Sequence, residues 1–182
     1  MRRAALIALS VLLALPLSAQ AQFKRYFDVG TLRIAALKEP DWGVRVEENR
    51  VRYLCVSGCA SPTAIEFKGV VRGEKLPEAF ESGALAPAAL KQQGEATASR
   101  LGSTFLGAAA VAFAGQKGVQ MEASADLNGA VYFVTRWIGQ GDRMLDIKVT
   151  ARDLKLAREL ADTATESLVP QVFGQDRAAS KP

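Results

Sequence analysis

Between residues 119 and 149 two stretches that alternate apolar and polar side chains flank a third that is apolar on both faces, and no other feature limits the fold so tightly. Val119, Met121, Ala123 and Ala125 stand between Gln120, Glu122, Ser124 and Asp126, the period of two that a half-buried strand requires. Asn128-Gly129 follows, a pair that favours hairpin turns because both positions tolerate left-handed backbone. Ala130 to Ile138 forms the returning strand, and Gln140-Gly141-Asp142 makes a second turn. Leu145, Ile147 and Val149 then alternate against Asp146 and Lys148. Three consecutive antiparallel strands are therefore predicted, joined as a meander.

The N-terminal half carries the same signals more weakly. Thr31 to Ile34 reads as a short strand, closed by Pro40. Trp42 to Val46 and Arg50 to Val56 alternate around Glu47-Glu48-Asn49, which predicts a hairpin with Val51, Tyr53 and Cys55 on one face. A third strand is expected from Ala64 to Val71, with Gly73 and Pro77 closing it. Ala86 to Leu101 is rich in Ala, Gln, Glu and Lys, and Pro87 suits the first turn of a helix. The apolar side of that helix is thin, and Gly94 weakens its continuity. Ser103 to Ala114 is uncharged and too short to span a bilayer. It is read as a buried strand, with a surface-inserting segment as the alternative. The last element is a helix, with Thr150 as N-cap and Asp153 three residues on. Leu154, Ala157, Ala161, Ala164 and Leu168 share one face, and Pro170 is expected to stop it. The order of strands, helix, strands, helix predicts an α+β domain, an antiparallel sheet with helices packed against it.

Two stretches carry a family resemblance. One is Asp41-Trp42-Gly43, entering the first hairpin. The other runs from Val111 to Val169, where Ala114-Gly115-Gln116-Lys117-Gly118 precedes the strand pair and the closing helix ends in Ser167-Leu168-Val169-Pro170. Over about half of the chain beyond residue 21, this pattern resembles the PsbP/Mog1-like group of small α+β proteins. The resemblance implies a PsbP/Mog1-like sandwich, and a role in binding or assembly, as most members of that group have.

The first residues read as a targeting segment. Arg2 and Arg3 precede an apolar run from Ala4 to Leu17, and Ala19-Gln20-Ala21 is an A-x-A cleavage site. A secretory signal peptide over residues 1–21 is expected, followed by a single domain over 22–173 and a polar tail over 174–182. The expected destination is the periplasm. Removing residues 1–21 from the 182 leaves 161 residues, enough for one ordinary core. Arg2 and Arg3 leave with that segment, so 21 basic residues face 19 acidic ones, a net charge of +2. So small and dispersed an excess gives no footprint for nucleic acid and no strong pull toward anionic lipid. No stable membrane insertion of the remaining chain is expected.

Histidine is absent from the whole sequence. The commonest general base and metal ligand is thereby removed, and neither a Ser-His-Asp nor a Cys-His hydrolase can be built. The typical histidine-containing zinc sites are excluded as well. The chain is accordingly expected to be no enzyme and to need no cofactor. Cys55 and Cys59 are the only cysteines. In an oxidising compartment a single pair reads most simply as a structural disulfide. The alternative is a redox or copper-handling role, since thiolate and thioether ligands suit Cu(I). Among the remaining residues, Trp137, Arg136, Arg143 and Trp42 are the candidates for contact with a partner. These readings add up to an exported binding or assembly module that acts through a protein partner.

Overall fold

The computed structural model describes residues 25–38, 40–71 and 86–174. The expected signal peptide, the Gly73–Pro77 strand closure and the polar tail beyond Gly174 lie outside the described residues. The elements run β1 Arg25–Phe27, β2 Trp42–Glu47, β3 Arg50–Cys55, β4 Ala64–Val71, α1 Pro87–Arg100, β5 Thr104–Phe113, β6 Gln116–Asp126, β7 Ala130–Gln140, β8 Arg143–Ala151 and α2 Leu154–Phe173. The chain is thus α+β, dominated by its sheet.

The strands form one antiparallel sheet in the order β2-β3-β4-β8-β7-β6-β5. Strand β1 pairs with β4 beside the end of β3, with Phe27 opposite Gly69 while Val51 lies opposite Phe67. The C-terminal meander forms as its alternation predicts. At its first turn Asn128 and Gly129 take φ of 56° and 106°, the left-handed values for which this pair is favoured. The Asp126 carboxylate accepts a hydrogen bond from Gly129 N at 2.9 Å there.

One face of the sheet carries the core. Val51 and Tyr53 of β3, Ile65 and Phe67 of β4, Leu145, Ile147 and Val149 of β8, and Val134 and Ile138 of β7 form one apolar cluster with the buried side of α2. The helix meets them with Ala157, Ala161, Ala164 and Leu168, all fully buried. Its alanines let the helix lie close to the β-branched side chains below. On the opposite face α1 lies over β5. Gly94 is buried in the middle of α1, where a Cβ would overlap the Phe105 ring. The glycine that weakened the helix as a sequence thus has a packing reason.

Several expectations are corrected. Thr31–Ile34 is no strand: Leu32 N donates to Val29 O and Leu37 N to Ile34 O, two turns that drop Ile34 into the core. Its N–H is met by the Tyr53 hydroxyl at 3.1 Å. Strand β5 is no buried strand but the last strand of the sheet, with Ala109, Ala110 and Ala112 exposed. Alanine is apolar enough to read as core yet small enough to stand in water at little cost. The N-cap of α2 is Asp153, whose carboxylate accepts from Leu156 N at 2.7 Å, and Thr150 lies within β8. Pro170 does not stop α2, which continues to Phe173. Proline deprives the helix of one hydrogen bond there, but burial of Val172 and Phe173 in the last turn holds it in register.

Candidate functional site on the outer face of the sheet

Period-two geometry divides the candidate residues between the two faces. Arg136 of β7 lies opposite Ile147, on the core side. It is only 4% exposed, and every branch of its guanidinium is engaged. Nε donates to Gln120 Oε1 at 2.7 Å, Nη1 to Thr165 Oγ1 at 3.1 Å, and Nη2 to Asp162 Oδ1 at 2.7 Å. The Phe113 ring lies 4.7 Å from its carbon centre. Arg143 shares that side of the sheet and stacks on Phe27 at 4.6 Å. Trp42 is buried in the core on β2, paired with Cys55. Four strand spacings separate β2 from β7, roughly 19 Å. The structure therefore does not bring Trp42, Arg136, Arg143 and Trp137 into one site.

Trp137 points to the other face. It is half-buried and packs with Val70 and Met144 in an apolar cluster separate from the main core. Its neighbour across the strands is Asp146, whose Oδ2 lies 3.2 Å from Lys68 Nζ. Lys148, exposed on the same face, sits 4.9 Å above the Phe133 ring. Farther along, toward β2, charges interlock: Glu66 Oε2 accepts from Arg52 Nη2 at 2.8 Å and from Arg50 Nη1 at 3.5 Å, and Glu47 pairs with Arg50. Burial alone would push the Glu66 carboxyl up. The Arg52 hydrogen bonds and the charges of Arg50, Arg52 and Lys68 outweigh it and hold Glu66 below the usual carboxylate range. This face thus grades from a charged half on β2, β3 and β4 to an aromatic half on β7.

A notch interrupts the charged half. Because β1 and β3 meet β4 end to end, Lys68 faces the gap between them. The resulting cleft, about 350 Å³, is lined by Tyr26, Glu47, Glu48, Arg50, Glu66 and Lys68 among others.

A second polar network, which sequence reading missed, lies under α2. Glu122 of β6 is 8% exposed. It accepts from Arg158 Nε at 2.8 Å, from Arg158 Nη2 at 2.6 Å and from Gln120 Nε2 at 2.7 Å. The Arg158 hydrogen bonds hold its carboxyl below the usual range against the opposing effect of burial. Alternation placed Glu122 on the polar side of β6 correctly. That side is covered by a helix nearly forty residues on, which no local pattern reveals.

Cys55 and Cys59 form a disulfide, with Cα atoms 6.3 Å apart. The loop it closes is held from outside as well: Asp41 O accepts from Val56 N at 2.8 Å, and Asp41 Oδ1 from Ser57 Oγ at 2.7 Å. Cys55 lies beyond Leu54, which pairs with Ala64, whereas Met144 pairs with Val70 at the other end of β4. Six residues of strand make that roughly 20 Å, too far for a shared thiolate–thioether site. No helix among the described residues is long and apolar enough to cross a membrane.

Neither a family model nor a curated protein matches the sequence. Among solved structures the chain is similar to a Pseudomonas aeruginosa protein of unknown function, at 11% identity and a TM-score of 0.45, over 71% of this chain and 96% of that one.

Proposed function

We propose that this chain is an exported, non-catalytic binding or assembly module that engages a protein partner through the outer face of its sheet around Trp137. One observation carries the reading: Trp137, Val70 and Met144 form an apolar cluster apart from the core, beside Lys68, Asp146, Phe133 and Lys148. A half-buried tryptophan seated on the buried Val70 and Met144 and rimmed by charged side chains has the composition of an interface centre. The carboxylates that depart from ordinary acidity support the same reading. Glu66 and Glu122 are held ionised by arginines, whereas a general acid working near neutrality needs its pKa raised. The resemblance to PsbP/Mog1-like proteins leans the same way, and the N-terminal A-x-A segment with the Cys55–Cys59 disulfide fits export to the periplasm.

Affinity capture of the tagged protein from its own periplasm after mild cross-linking tests this. One stoichiometric partner is expected, lost with Trp137→Ala and with Lys148→Glu but retained with Lys155→Glu on the exposed side of α2. Equal capture by all three variants, each with an unchanged thermal midpoint, would overturn the assignment of this face.

A further inference from the structure

The two edges of the sheet differ in a way the Trp137 face does not explain. Edge strands expose unpaired backbone groups, and proteins guard them with charges, prolines, bulges or short length. Strand β2, at one edge, is six residues long and carries Arg45 and Glu47. Strand β5, at the other, is ten residues long, Thr-Phe-Leu-Gly-Ala-Ala-Ala-Val-Ala-Phe, with neither a charge nor a proline. Its single irregularity is a bulge between Phe105 and Gly107, which leaves Leu106 44% exposed. From Gly107, opposite Glu122, to Phe113, opposite Gln116, the register is unbroken. Among the described residues no strand pairs with the outer side of this segment, and Ala109, Ala110 and Ala112 along it are exposed.

We propose that β5 pairs antiparallel with β5 of a second copy of this chain, about a two-fold axis through Ala110, joining the two sheets into one. The segment is self-complementary about that residue. Gly107 then stands opposite Phe113, Ala108 opposite Ala112, and Ala109 opposite Val111. Each pair shares one face, because odd meets odd and even meets even. The bulky Phe113 meets the residue with no side chain, and no charge meets its own image on the axis. A charged or proline-bearing strand would fit this edge less well, since it would give up solvation or a ladder bond that the uncharged copy does not. Seven residues of strand pairing cover less than the roughly 1,200 Å² typical of a stable complex. The dimer is therefore expected to dissociate in the micromolar range, about 1–100 µM. This inference rests on the edge strand alone and is independent of the Trp137 reading.

Sedimentation equilibrium of the purified protein from about 1 µM to about 1 mM tests it. A monomer–dimer equilibrium is expected. Ala110→Lys and Ala110→Glu should each weaken it by about tenfold or more, as like charges meet on the axis. An equimolar mixture of the two should recover the dimer. An Ala110→Cys variant should form an intermolecular disulfide on mild oxidation, while Arg45→Cys on the guarded edge should not. This second pair decides the question if a charged variant fails to fold. A monomer at every concentration, a dimer indifferent to both charges, or a mixture that stays monomeric would each overturn the proposal.

Discussion

Arg158 on α2 reaches back to Glu122 on β6 with two parallel hydrogen bonds, 2.8 Å from Nε to Oε1 and 2.6 Å from Nη2 to Oε2. The fork fastens the helix to the half of the sheet that its apolar face does not cover. Glu122 is nearly buried and Arg158 half exposed, so removing the arginine leaves a carboxylate that water reaches poorly. Arg158→Ala is expected to lower the urea midpoint clearly, because the nearly buried Glu122 carboxylate loses both hydrogen bonds. Lys155→Ala, on the exposed Lys155–Glu159 pair, should barely move it.

The same contacts set the acid limit. Glu122 and Glu66 titrate below the ordinary range in the folded protein, while in the unfolded chain a glutamate titrates near ~4.3. The folded state therefore binds fewer protons than the unfolded one in that interval. Their contribution is whole above the unfolded value and drains away as pH falls through the folded one. Urea midpoints measured from about pH 7 to about pH 3 should hold level and then fall below ~4.3. Glu122→Gln should begin lower at neutral pH and fall less steeply in acid. An acid limb as steep as that of the unaltered protein would show that Glu122 is not part of the cause.

Arg136 is nearly sealed beneath α2, and its three hydrogen bonds diverge toward Gln120, Thr165 and Asp162. A lysine supplies charge but not the planar fork. Arg136→Lys should therefore destabilise almost as much as Arg136→Ala, by about 3 kcal/mol. Thermal unfolding compares the two directly, and a lysine variant close to the parent would mean that charge alone is what counts there.

Gly94 and Phe105 should be energetically coupled. Alanine is favoured over glycine within a helix by about 0.5–1 kcal/mol, yet here its Cβ would overlap the aromatic ring. Gly94→Ala is expected to destabilise by about 1–3 kcal/mol in the native background. In a Phe105→Ala background it should become neutral or stabilising. A double-mutant cycle by chemical denaturation measures the change of sign.

The Cys55–Cys59 ring is short, so replacing both residues by serine should remove about 2 kcal/mol or less. Asp41 continues to hold Val56 and Ser57, and partner capture should survive. A folded double variant that no longer captured its partner would move the weight to a thiol-based role.

Much of this was legible in the sequence because it is local. Alternation located β2, β3, β4, β6 and β8, and the Asn128-Gly129 pair located a turn and with it the returning strand β7, since each depends on neighbours a few residues apart. The failures share a different cause. Thr31–Ile34 has strand-forming residues but is diverted when Ile34 is drawn under Tyr53. Strand β5 read as interior because hydrophobicity does not report position in a sheet. Pro170 read as a stop because its local penalty is visible, whereas the burial of Phe173 is not. In the candidate site, Trp137 was found from its strand but Met144 and Val70 were not linked to it. Arg136, chosen because it adjoins Trp137 in sequence, turns to the opposite face for that very reason.

The seam between β4 and β8 joins the two halves of the sheet through eight residue pairs, from Ala64–Thr150 to Val71–Arg143. On one side β2, β3 and β4 succeed one another closely along the chain, and on the other β5 to β8 do the same. Each half can zip up from its own turns, but neither has a closed core, because α2 packs across strands of both. The slow event in folding is therefore expected to be the meeting of the two halves, a search over long loops that comes before any reward in burial. Until that meeting, Ile65, Phe67, Ile147 and Val149 remain available to anything else that binds unfolded chains.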